Sequence, residues 1–190
     1  MSEFEFVFVL YSLVLGLSLV ELLTGLGRTL EFKLAREADD KAFTIGWLTP
    51  LLAVFVILDL LSFWMFSWRV RDLVTASTGT VFGVLVFASA YFLASRLVFP
   101  SSPENFTGLD THYFRVRRIV FAMLIVMVAV QWAFLFSLPT MAALIRNPVT
   151  IAFTIVLVVL MLGAAFTANR RASIVVLALL ILRYLAIYLM

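Results

Sequence analysis

The chain has 190 residues, 64% of them hydrophobic and 13% charged, with a mean hydropathy of +1.14 and no cysteine. Water-soluble domains carry about 25% charged residues and about half apolar ones, so a soluble globular core is excluded. The missing cysteines exclude disulfides, thiolate chemistry and cysteine metal sites. A net charge of +3 and a pI near 9.6 do not point to nucleic acid. The basic residues lie mostly in short loops beside apolar segments, and no nucleic-acid-binding signature accompanies them.

With the charges used as rulers, six apolar segments emerge, at about 4–26, 50–68, 73–99, 119–138, 148–168 and 172–190. Crossing a bilayer takes about 20 apolar residues as helix. These runs are too long and too uniformly apolar for the alternating strands of a barrel, about 10 residues each. The expected fold is all-α: a polytopic integral membrane protein, a bundle of six transmembrane helices forming a single domain over 1–190.

The first segment opens on Glu3 and Glu5 without a basic residue. A secretory signal needs a positive start and a small-residue cleavage site, so this segment is expected to be a retained span. Ser12 and Gly16 form a small-residue face on it, and Glu21 stands near its end, seven residues before Arg28. Glu31 to Lys41 mixes both signs and reads as a surface extension of the helix.

The second segment starts at Thr49-Pro50, a cap-type residue before a proline suited to the first helical position. Asp59 lies nine residues after Pro50 and nine before Trp68. A carboxylate at that depth costs about 2.5 to 3.5 kcal/mol on insertion scales and normally faces protein or water with a partner.

Gly79, Gly83, Ala90 and Ala94 give the third segment a small-residue face, which serves close packing within one bundle or between copies in a homo-oligomer. Arg96 sits near its end, before Pro100 and Pro103. His112 then precedes Arg115, Arg117 and Arg118, a flank expected to meet lipid headgroups, anionic ones included. These arginines do not recur through the membrane as a voltage sensor requires. The fourth segment carries Gln131, and Pro139 and Pro148 bracket the next loop. The fifth holds Gly163, Asn169-Arg170-Arg171 forms a tight turn, and the sixth contains Arg183.

With the N-terminus outside, the cytoplasmic loops hold Arg28, Lys33, Arg36, Lys41, Arg96, Arg115, Arg117, Arg118, Arg170 and Arg171, ten of the 14 basic residues. Arg69, Arg71, Arg146 and Arg183 remain. The positive-inside rule then places both termini outside the cytoplasm, in a membrane of the bacterial inner type.

Alternating spans allow depths to be compared. At 1.5 Å per residue, Asp59 lies about 13 Å from the outer end of its segment, Gln131 about 12 Å and Arg183 about 10 Å. One polar layer is expected, with Asp59 paired to Arg183 and Gln131 adding hydrogen bonds. Glu21 and Arg96 fall near the opposite face and form a second expected pair, with Glu21–Arg28 as the alternative on one helix face.

Enzyme chemistry is not expected. One histidine excludes a two-histidine metal site, and HExxH, GxSxG and P-loop motifs are missing. No catalytic residue, metal or cofactor is assigned. The function expected is a channel or transporter for protons, ions or a small solute, working through the polar layer. The alternative is a non-transporting structural, sensor or partner-subunit membrane protein, in which the same pairs only hold helix register.

Overall fold

Backbone amides and carbonyls in hydrocarbon must find partners within the protein, and a helix satisfies them inside its own segment. A computed structural model describes residues 2–38, 44–106, 108–138 and 146–189. It is 87% helical, without strands among the described residues. Its helices are α1 (Glu3–Ala38), α2 (Leu48–Arg69), α3 (Thr78–Val98), α4 (Leu109–Phe136), α5 (Pro148–Phe166) and α6 (Arg170–Leu189). Among the described residues, six helices are long and apolar enough to cross a membrane. Lys41, Pro139, Met190 and the Arg36 side chain lie outside the described residues.

The helix ends depart from the apolar boundaries for local reasons. α1 continues past Leu26 to Ala38, because Leu, Glu, Lys, Ala and Arg sustain a helix after the apolar run ends. α3 starts at Thr78 instead of residue 73. Arg71–Leu73 is a short 3₁₀ turn, and Ser77 caps the helix by accepting from the Thr80 amide at 3.1 Å. α4 starts ten residues before its apolar run and takes in His112, Arg115, Arg117 and Arg118. Asn147 caps α5 and Asn169 stands at the head of α6, each side chain accepting an amide two residues on at 2.9 Å. Thr49 does not cap α2; its hydroxyl donates to the Leu109 carbonyl at 3.0 Å.

Successive helices run in alternating directions, as contacts at the two faces record. On the N-terminal face, Glu3 accepts from the Ala76 amide at 2.9 Å and Phe4 meets Trp68 at 6.0 Å. On the opposite face, Asp110 accepts from the Leu48 amide at 3.2 Å and pairs with Arg170 at 2.6 Å. There too Arg117 donates to the Thr167 carbonyl. Residues 44–47, which lead into α2, dock on the start of α4. Gly46 adopts φ +65° there, and a Cβ on it would fall on the Asp110 carboxylate.

α2 is central. It touches α1, α3, α4 and α6, and buries Leu52, Phe55, Val56, Leu60 and Phe63. Its i, i+4 rows meet rings from two sides: Phe55 packs on Phe121 and Tyr184, and Phe63 on Phe87 and Tyr91. α1 lies along α3, and Gly25 permits the close approach, since a Cβ there would sit 2.7 Å from Phe99 Cβ. Outward faces carry Leu13, Val20, Val126, Ile155, Val159 and Leu182, all exposed. Such faces suit contact with acyl chains, so the molecule is an integral membrane protein of six helices.

Candidate functional site

Asp59 shares the inward row of α2 with Phe55 and Phe63 and is 1% exposed. α3 brings Tyr91 to it between the buried Ala88 and Ala94, and α6 brings Tyr184 from the row Leu177, Leu180, Tyr184. The Tyr184 hydroxyl donates to Asp59 Oδ1 at 2.5 Å, and the Tyr91 hydroxyl lies 3.1 Å from Oδ2. Tyr91 also reaches the Val56 carbonyl at 2.7 Å, while Tyr188, one turn beyond Tyr184, donates to the Leu58 carbonyl at 2.7 Å. The carboxyl group is thus held by phenols from two helices.

Arg183 is not the direct partner expected for Asp59. Its Nε donates to the Phe153 carbonyl at 3.2 Å, and its guanidinium lies 4.6 Å from the centre of the Tyr184 ring. Neighbouring residues on a helix point about 100° apart at 3.6 residues per turn. Arg183 and Tyr184 therefore cannot both face α2, and Tyr184 does. The arginine lies over the face of the tyrosine ring whose hydroxyl bonds the acid.

Gln131 is displaced in the other direction. It borders a crevice of about 450 Å³ between α1, α2, α3 and α4, with Tyr11, Phe63 and Phe87 in the same wall. The three polar residues expected in one layer thus stand on three flanks: Asp59 at the centre, Arg183 towards α5, Gln131 at the crevice. Phe63 and Phe87 pack edge to face at 5.1 Å, between the crevice and Tyr91.

Glu21 and Arg96 are brought together near the opposite face. Glu21 Oε1 accepts from Arg96 and, at 3.4 Å, from Arg28, so both sequence-level pairings occur at once. Arg96 also reaches Ser101 Oγ at 3.3 Å and Arg28 the Ser101 carbonyl at 3.4 Å. This cluster is partly exposed and ties α1 to the end of α3.

The arginine flank divides. Arg115 and Arg118 are exposed and lie over the Phe106 and Phe166 rings. Arg117 is 6% exposed and donates to the Thr167 carbonyl with its guanidinium over Phe114, so it joins α4 to the end of α5 and is not available to lipid. His112 likewise is buried, with Nε2 3.0 Å from the Leu97 carbonyl and its ring against Phe106.

Sequence reasoning missed Tyr91 and Tyr184, because tyrosine in a span is ordinarily read as apolar filling. Membrane tyrosines favour the interfacial belts, so phenols well inside segments three and six were the available signal. No protein-family model, characterised protein or solved structure matches this chain.

Proposed function

We propose that this chain is a permeation protein, a channel or transporter for protons, ions or a small solute, in which Asp59 is the group that takes up and releases a proton. The observation that carries this reading is a fully buried carboxyl group whose hydrogen-bonding partners are phenols, with no ion pair to a cation among the described residues. A phenol has one O–H hydrogen, so Tyr91 donates fully to Val56 or to Asp59, not to both. Satisfying all three contacts at Asp59 and Val56 takes a third proton, and a protonated Asp59 supplies it.

Stability alone does not favour an acid here. Intramembrane hydrogen bonds average about 0.6 kcal/mol in double-mutant cycles, and an asparagine would offer the same acceptor and donor pattern. What a carboxylic acid adds is a proton that can leave, with Arg183 over the face of the Tyr184 ring to favour the transient anion. The positive-inside count sets the proposed orientation in a bacterial-type inner membrane, both termini outside the cytoplasm and the face of Glu21, Arg115 and Arg170 inside. Arg115 and Arg118 then lie among anionic headgroups.

A second reading has its own support, because the Asp59 contacts tie α2, α3 and α6 together. There the cluster only sets helix register and the protein serves as a structural, sensor or partner subunit. Proteoliposomes loaded with a pH-sensitive dye separate the two. The proposal expects wild-type protein to dissipate an imposed pH gradient and Asp59→Asn to abolish that flux while keeping its helicity and melting behaviour. Equal flux from both proteins, or none above empty liposomes, favours the register reading.

A further inference from the structure

We infer that the crevice between α1, α2, α3 and α4 is a binding site for a membrane-dissolved amphiphile with one uncharged hydrogen-bonding head, of the fatty-alcohol class. Its volume of about 450 Å³ falls in the ordinary range for small-molecule sites, about 300 to 1,000 Å³. The walls are dominated by apolar side chains, among them Phe4, Phe66 and Val84, which suit a hydrocarbon tail. Among the described residues no charged side chain lines it, so an ionised head would be left unpaired in a low-dielectric site.

Ser67 and Thr80 in the lining bond locally to Trp64 and Ser77, which leaves two polar groups that make this more than a greasy groove. Tyr11 borders the crevice and is 7% exposed, yet its hydroxyl makes no hydrogen bond to any described residue. Buried phenols ordinarily find a partner, and this one is left to the crevice. Gln131 enters the same wall from α4 with an amide that both donates and accepts. A hydroxyl between them can accept from one and donate to the other, which neither an alkane nor an ion can do.

Access comes from the lipid side. Gly79 and Gly83 are exposed, a Cβ on Gly83 would meet nothing within 4 Å, and Val130 and Phe134 opposite them are 50% and 39% exposed. A ligand already dissolved in the bilayer needs no passage through water. The proposal does not require that Asp59 move protons.

The test uses the whole chain in lipid nanodiscs with a diazirine-bearing dodecanol, read by peptide mass spectrometry. Labelling is expected at the crevice wall, competed several-fold by unlabelled dodecanol and weakly by dodecane. Gln131→Leu and Tyr11→Phe should each lower the dodecanol-competed fraction, and Gly83→Trp, which fills the opening, should remove it. Gln131→Leu replaces the amide with an apolar side chain of similar size, so it remains informative if Gly83→Trp fails to fold. Labelling spread over lipid-facing positions such as Leu13 and Leu182 without competition would overturn the site. Equal competition by dodecane would overturn the requirement for a polar head.

Discussion

The hydroxyl of Tyr184 sits 2.5 Å from Asp59 Oδ1, across 125 residues of chain. That contact joins the last helix to the central one and places a neutral donor where an arginine had been expected. It also makes Arg183 an indirect neighbour of the acid, through the ring it stacks on.

Removing that donor leaves a buried oxygen short of a partner. Tyr184→Phe should lower unfolding free energy by about 1 to 2 kcal/mol, at the upper end of measured intramembrane contacts. Tyr91→Phe should cost a similar amount, because it strips both Val56 and Asp59. A double-mutant cycle of Tyr184→Phe with Asp59→Ala, which removes the acceptor that asparagine would keep, should show non-zero coupling by denaturant unfolding in micelles; strict additivity would mean the two side chains do not interact.

Gly25 and Gly16 offer a matched pair on α1. A Cβ at Gly25 would strike Phe99, whereas one at Gly16 meets nothing within 4 Å. Gly25→Ala should therefore destabilise by about 1 to 3 kcal/mol, the usual cost of overpacking, and Gly16→Ala should not. Thermal unfolding of the two variants side by side checks this, and equal melting would contradict the α1–α3 approach.

Arg117 should behave unlike its neighbours. Arg117→Gln removes the buried tie to Thr167 and should cost about 1 to 3 kcal/mol. Arg115→Gln and Arg118→Gln should leave stability nearly unchanged while weakening association with phosphatidylserine, by about 1 kcal/mol per removed charge near an anionic surface. Native mass spectrometry of retained lipid, with melting curves of the same samples, reads both effects.

The Glu21 cluster should respond to salt. Its three side chains are 21% to 39% exposed, and ion pairs so placed are worth about 0 to 1 kcal/mol and are screened. Glu21→Gln should produce a small loss that shrinks between low and high sodium chloride. A large salt-independent loss would indicate a role beyond tying α1 to α3.

The six helices were legible in the chain because the bilayer demands length and hydropathy, both one-dimensional properties. Asp59 was legible as the anomalous residue for the same reason: its solvation cost depends on depth, and depth follows from counting. Alternating direction followed from there being six spans, and with it the closeness of Glu21 to Arg96. Helix ends such as Thr78 and Leu109 were not, since capping and surface extension have no hydropathy signal.

Rotation about each helix axis is what only the tertiary structure decided. Depth arithmetic put Asp59, Gln131 and Arg183 at one level, but a helix turns about 100° per residue, so level does not say which side chain faces inward. Packing of Leu177 and Leu180 turns Tyr184 towards α2 and Arg183 towards Phe153. Packing of α4 turns Gln131 to the crevice. Composition and charge thus determine that this chain lives in a membrane, whereas the partners of its buried acid are set by which faces interlock.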